Sequence, residues 1–262
     1  MEGKDDRHFV TALARGLSIL RAFASGAERL SNHELAQRCA LPKSTVSRLT
    51  HTLTQLGFLH YIEDTGRYRL GMATLALART TLDRLDLREA TGDLLQKAAD
   101  GTGTMISLAI RDELSVLYVE SYRSQSSVVT LRLGIGSRLP VASTAAGRAH
   151  LVALDARQQS ALMQRIRKLD AAAWPALEAG ILQARKEFAS SGCVSSFGEW
   201  RKEINAIAVP ITLSGGGLPP LVLNAAAPVW SISVETFLSD VRPQLISAAR
   251  AVEARYRETS TP

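Results

Sequence analysis

SNHELAQRCALPKSTVSRLTHTLTQLGFL, residues 31–59, holds two helix starts, a tight turn and a helix stop. Ser31-Asn32-His33-Glu34 is spelled as a capping box: the Ser31 hydroxyl accepts from the Glu34 amide while the Glu34 side chain reaches back. The helix it opens is short, about 32–39. After Ala40-Leu41, the fixed φ of Pro42 suits the start of a new helix, which runs through Leu56 until Gly57 stops it. On that helix Val46, Leu49, Leu53 and Leu56 share one face, and Ser44, Ser47, Arg48 and His51 cluster on the other. Small hydroxyls allow close approach to base edges and phosphates, and Arg can donate two hydrogen bonds to guanine O6 and N7. Lys43 and the free amides of the first turn favour a phosphate at the helix N-terminus. These are the requirements of a helix that enters a major groove.

Upstream, Leu13, Leu17, Leu20 and Ala24 recur at helical spacing, with Ile19 and Phe23 widening the stripe, and Ser25-Gly26 ends the helix. Downstream, Phe58 to Ile62 and Arg67 to Leu70 flank Glu63-Asp64-Thr65-Gly66 as a hairpin. Alternation directs Phe58, Ile62, Tyr68 and Leu70 inward and Arg67 and Arg69 outward, where two arginines suit phosphate or minor-groove contact. The expected DNA-contacting set is Lys43, Ser44, Thr45, Ser47, Arg48, His51, Arg67 and Arg69. The alternative use of this surface is docking of another protein.

Charge placement agrees with this reading. The 262 residues carry 31 basic and 25 acidic side chains, 46% apolar residues and two cysteines. Residues 7–72 hold nine basic against four acidic groups, whereas 73–262 hold 21 against 18. A compact basic module on a near-neutral body suits a regularly charged partner such as nucleic acid. Mean hydropathy near zero and the lack of a long apolar run exclude wholesale disorder and a membrane span. The polar start, interrupted by Arg15, offers no secretory core, so a cytoplasmic location without membrane attachment is expected. Cys39 and Cys193 fit reduced thiols.

Beyond the hairpin, residues 72–84 read as a helix leaving it, a lever or dimer contact. A second helix, 86–100, precedes strands at 104–110, 114–120 and 127–133. Helices follow at 144–154, 156–168 and 175–190, then strands at 193–197, 204–213 and 220–227, the last two flanking a turn over 214–220. A final helix covers 233–257. Strands split by helices make an α+β domain.

The order and spelling of ARGLSILRAFA (14–24), the 31–59 stretch, RYRLG (67–71), GSRLPVASTAAGRAHLVAL (136–154) and SGCVSSFGEWRKEINAIAVPI (191–211) resemble the IclR family of bacterial transcription regulators. The resemblance runs from about residue 10 to 255. It implies an α+β chain: a disordered start (1–9), a winged helix-turn-helix (10–71), a linker helix (72–85), a GAF/PAS-like effector-binding and oligomerisation domain (86–258) and a short tail (259–262). It also implies homodimers or tetramers on palindromic operator or promoter DNA, a small organic acid effector with aromatic acids leading, and RNA polymerase as a further partner. No cofactor or metal is implied.

For the effector, Ser143-Thr144-Ala145-Ala146-Gly147 opens a helix after the loop 136–140, so its free amides suit a carboxylate. Resemblance adds the loop from Cys193 to Trp200. The expected pocket residues are Ala142, Ser143, Thr144, Ala145, Cys193, Ser195 and Trp200, with Met105, Ser107 and Leu131 as further wall positions. Many relatives carry Asp-Gly-Glu where this chain has Ser195-Ser196-Phe197-Gly198-Glu199, so no contact is carried over to 196 or 197. Catalysis is not expected. After residue 72 there is one histidine, His150, and one cysteine, Cys193, with no nucleophile elbow, too few metal ligands and a Gly215–Gly217 run that leads to prolines instead of a phosphate-binding helix. Two other readings remain open: a sensor acting through protein contact, and a constitutive DNA binder without effector.

Overall fold

The capping box forms as its spacing requires. Ser31 N donates to Glu34 Oε2 at 2.8 Å and Glu34 N donates to Ser31 Oγ at 3.3 Å. In the computed structural model of the protein, residues 8–25, 28–83, 87–125, 131–212 and 220–259 are described, and the chain divides into two compact units, Met1–Leu85 and Asp86–Pro262.

The first unit contains α1 (Thr11–Arg21) with a 3-10 turn (Ala22–Ser25), β1 (Leu30–Ser31), α2 (Asn32–Cys39), α3 (Lys43–Gln55), β2 (Leu59–Ile62), β3 (Arg67–Leu70) and α4 (Met72–Asp83). Its core is Ile19, Phe23, Leu30, Leu35, Ala36, Val46 and Leu59. The turn between α2 and α3 is set by Ala40 at φ 51°, and Pro42 stands one residue before α3, at its N-cap. The strands order β1-β3-β2, so the hairpin is anchored on Leu30 and on Ser31, the first residue of the capping box.

Two apolar faces differ from the sequence expectation. Ile19 of α1 and Phe23 of the 3-10 turn that follows it are the buried ridge, while Leu13 and Leu17 of α1 are 62% and 51% exposed. In the third helix, Leu56 is exposed and Thr50 is fully buried, its hydroxyl donating to Ser47 O at 3.1 Å, with Asn32 Oδ1 at 3.2 Å. A helix whose apolar residues cover more than one face buries the stripe that meets its neighbours. The hairpin differs likewise: Leu59 is buried and Leu70 is exposed. Replacing Ser31 by Ala removes the hydroxyl that accepts from Glu34 N and donates to Glu34 Oε2, leaving only the backbone half of the box, and urea denaturation of the full chain should show the first unit's transition weakened by about 1 kcal/mol. An unchanged transition would mean the box adds nothing.

The second unit contains α5 (Leu87–Thr102), β4 (Met105–Asp112), β5 (Ser115–Arg123), β6 (Arg138–Pro140), α6 (Ala145–Ala153), α7 (Ala156–Leu169), α8 (Trp174–Ser191), β7 (Val194–Phe197), β8 (Ile204–Ile211), β9 (Leu221–Pro228), α9 (Val234–Thr236), a π-helical turn (Phe237–Val241) and α10 (Arg242–Thr259). The antiparallel sheet has the order β6-β5-β4-β9-β8-β7. α6, α7 and α8 share an apolar core with one face of it, and α5 and α10 pack on the other. β6 occupies a stretch expected to be loop and pairs Arg138–Pro140 with Leu117–Ser115. Of the strand expected at 127–133, residues 127–130 lie outside the described residues and 131–133 are not strand. Residues 1–7 of the expected 1–9 start, 260–262 of the expected 259–262 tail, residues 84–86 and most of the 214–220 turn also lie outside them.

Candidate functional site

Two places bring the sequence-selected residues together, one in each unit. The first is the outer face of α3. Lys43, Ser44, Ser47, Arg48 and His51 are exposed along it and Thr45 is half-buried. None of these side chains makes a hydrogen bond or ion pair among the described residues. The helix is pinned from behind by Val46 and Thr50, both fully buried, so the polar face is held rigidly outward. Gly71 lets the hairpin close on the end of α3: a Cβ there would lie 2.1 Å from Gly57 O.

The hairpin arginines are unlike one another. Arg69 is exposed and pairs across to His60. Arg67 is half-buried and ties the hairpin to the capping box: its Nη1 lies 3.5 Å from Glu34 Oε2 and donates to Arg29 O at 3.4 Å. The Glu34 carboxyl is held below its ordinary pKa, first by the Ser31 backbone and hydroxyl hydrogen bonds, and then by Arg67 and Arg38.

The second place is a hollow on the α6 side of the sheet. Thr144, Ala145 and Trp200 line it, as do Tyr118, Leu133, Leu139, Ser196, Ile204, Ala206, Asn224 and Ala226. It is nearly closed, leaving about 10 Å³ in which a water centre fits. Thr144 is the N-cap of α6, accepting from Gly147 N at 3.1 Å and donating to Pro140 O at 2.8 Å. The first-turn amides of Ala145 and Ala146 have no intrahelical partner. A Cβ at Gly147 would lie 2.3 Å from Val141 O, so glycine lets the 141–144 segment lie directly on α6. Asn224 Nδ2 donates to Tyr118 Oη at 3.0 Å, both fully enclosed, and burial drives the Tyr118 hydroxyl well above its ordinary pKa. Among the described residues the lining carries no charged side chain.

Strand alternation separates the other nominated residues from this hollow. Ser196 pairs with Ala206, Ala206 with Ala226 and Ala226 with Met105, so these four share the α6 face. Met105 and Ser107 are on that face without lining the hollow, Ser107 beside Asn224 and bonded to Ser121 Oγ at 3.1 Å. Cys193 and Ser195 project their side chains to the opposite side, while the Ser195 backbone N donates to Glu187 Oε2 of α8 at 2.9 Å. Ala142 gives its carbonyl to Arg148 Nε at 3.0 Å, Ser143 O accepts from Ser196 Oγ at 3.5 Å, and Leu131 O accepts from Arg123 Nη2 at 3.3 Å. The sequence reading missed Tyr118 and Asn224. A lone Asn in the fully buried strand LVLNAAAP was the available signal, since a buried amide requires a partner.

The two reactive-looking side chains of this unit are poorly suited to chemistry. Burial, and then the Glu187 charge, push the Cys193 thiol to about 12, leaving no thiolate near neutrality. Burial lowers His150 to about 4.

Two family models cover these units. One, described as the IclR helix-turn-helix domain, matches residues 12–63, and the other, described as bacterial transcriptional regulator IclR C-terminal, matches residues 79–253. The chain belongs to the IclR family. This IclR-family chain is 28% identical over 254 residues to the HTH-type transcriptional regulator TsaQ1/TsaQ2 of Comamonas testosteroni, covering 97% of the chain and 91% of the relative. The crystal structure of an IclR family transcriptional regulator from Brucella abortus superposes with a TM-score of 0.83 at 34% identity, covering 100% of this chain and 96% of that one. An IclR homolog from Microbacterium hydrocarbonoxydans, complexed with 4-hydroxybenzoate, shares the fold at a TM-score of 0.72 and 24% identity, covering 94% of this chain and 99% of that one. The IclR-family chain is thus a transcriptional regulator rather than an enzyme, built as a winged helix-turn-helix and an α+β domain. Among the described residues no helix is long and apolar enough to cross a membrane.

Proposed function

We propose that this regulator reads a DNA operator with α3 and the hairpin, and that a small organic acid bound in the hollow of the second unit changes its affinity for that DNA. The observation that carries the first half is the outer face of α3, where Lys43, Ser44, Ser47, Arg48 and His51 stand exposed and unpartnered among the described residues. Arg48 donates to a base edge in this reading, and Lys43, Arg69 and Arg67 bind phosphates, with Thr45 supporting the first turn. Exposed apolar side chains on the same unit, Leu13 and Leu17 of α1 and Met72, Leu75 and Leu77 of α4, support a second copy of the chain as their cover. A homodimer then spans two half-sites.

The neutral, half-apolar lining of the hollow supports an aromatic acid as the effector class. Its carboxylate docks on the Ala145 and Ala146 amides, its ring lies among Leu133, Leu139 and Trp200, and a ring hydroxyl meets Tyr118 or Asn224. The ligand named for the Microbacterium relative belongs to that class. Its effect on DNA requires different affinity for two arrangements of the protein.

The test is a mobility shift with the promoter upstream of the protein's own gene against excess random duplex, run with and without 4-hydroxybenzoate and short keto acids. A specific shift, altered by one of these acids, is expected. No shift at low salt would return α3 to protein docking. A shift that no acid alters, together with no ligand-induced rise in melting temperature, would leave a constitutive binder.

A further inference from the structure

Arg148 is an unusual residue for the middle of a core-facing helix. It lies one turn beyond Thr144 and Ala145, its side chain is 7% exposed, and its carboxylate partner among the described residues is Glu199, at 2.7 Å from Nη1 and itself 47% exposed. Its Nε donates to Ala142 O. The guanidinium rests on Gly180 of α8, where an added Cβ would fall 2.3 Å from Nη2, so α8 keeps a bare backbone at the point where the cation needs room.

Glu199 belongs to the short connection between β7 and β8. That connection turns at Gly198 (φ 63°) and closes through Gly198 N to Ile204 O and Ile204 N to Arg201 O, both at 3.0 Å. The next residue, Trp200, is a wall of the hollow and carries the Arg201 guanidinium 4.5 Å above its ring. Neither these backbone bonds nor that from Val229 N to Glu203 O at 3.1 Å involves Glu199 or Trp200, so at these two residues the buried cation on α6 supplies the anchor.

We propose that the Arg148–Glu199 pair is a latch that holds Trp200 over the hollow, with Arg148 as a positioning residue for the ligand site. The proposal rests on the reading of that hollow as the effector site. The closed hollow is the latched state. An acid entering it must move Trp200 outward, and because Glu199 is adjacent in sequence, that movement pulls the carboxylate off Arg148. Removing the partner of a buried charge is costly, so the closed arrangement dominates without ligand, and apparent affinity is reduced by the rarity of the open one. Glu199 faces water and loses little on release, whereas Arg148 stays enclosed. The pair thus acts mainly through Arg148.

Hydrogen exchange of the full-length protein tests this. In Glu199→Ala, amides within 197–204 should exchange roughly tenfold faster than in the wild type, while β4 peptides keep their protection. Glu199→Gln, which retains an acceptor but no charge, should fall between. Gly180→Ala, which evicts the guanidinium from the opposite side, should reproduce Glu199→Ala. Affinity for 4-hydroxybenzoate should rise several-fold in Glu199→Ala, a direction that mere structural damage would not give. Unchanged exchange over 197–204 in Glu199→Ala overturns the latch, as does a rise spread evenly over the unit. If Gly180→Ala does not fold, the half-exposed Glu199 still decides the matter. A wild-type protein that binds no acid, but whose variants show the loop-confined increase, sinks the effector reading and retains the latch. Acid binding with unaltered loop exchange does the reverse.

Discussion

Arg48→Ala should weaken binding to the cognate promoter duplex by about 1 to 3 kcal/mol while leaving binding to random duplex nearly unchanged. The reason is positional. Val46 and Thr50, fully buried on either side of it in sequence, fix the rotation of α3, so Arg48 projects from a rigid, exposed face, the one proposed to enter the groove. A bidentate contact to guanine carries sequence information, whereas a phosphate contact does not. Titration by fluorescence anisotropy at several salt concentrations separates the two. Equal losses on both duplexes, with a shallower salt slope, would reassign Arg48 to the backbone.

Acid should destabilise the second unit well above the pH at which its carboxylates titrate. His150 is fully buried on α6, with Nδ1 3.2 Å from Pro220 O and Nε2 without a partner among the described residues. Burial, reinforced by the positive charge of Arg111, lowers it to about 4, from 6.5 for a free histidine, against a smaller opposing effect of the Pro220 carbonyl. Above pH 6.5 the ring is neutral folded or unfolded. Between 6.5 and 4 the unfolded chain takes up a proton that the folded one refuses, so stability falls as pH falls. The loss is about 2 kcal/mol by pH 5 and about 3 kcal/mol by pH 4. Glu113 and Asp93, whose pKa values are lowered mainly by hydrogen bonds from Arg165 and Arg255, lose their contributions only at lower pH. Urea midpoints of the second unit at pH 7.5 and 5.0, in the wild type and in His150→Gln, isolate the effect. Equal midpoints in the wild type would mean that the ring charges freely in place.

Features set by neighbouring residues were legible from the chain alone. The Ser31–Glu34 box depends on a spacing of three and the start of α3 on the fixed φ of Pro42, so both could be read directly, whereas the left-handed backbone of Ala40 (φ 51°) runs against its residue type. The helices at 144–154, 156–168 and 175–190 likewise end at residues that cap or break them. Faces were harder. Leu13 and Leu17 obey the helical period as well as Ile19 and Phe23 do, and only the placement of α2 and α3 selects which pair is buried. The hollow was harder still. Tyr118 and Asn224 are 106 residues apart, brought together by strands that flank β4, and nothing in either local sequence names the other. Ser195 and Ser196 show the cost of a one-residue ambiguity in a strand, because neighbouring side chains lie on opposite faces.

Arg67 carries one consequence of its own. Its guanidinium already has a negative companion, Glu34, and a carbonyl, Arg29 O, before any duplex arrives. Touching a phosphate means exchanging partners, whereas Arg69 acquires one outright. Two arginines of equal formal charge on one strand are therefore unequal in the pull they exert on a polyanion, and a wing that binds DNA as proposed would lean on it chiefly through the second.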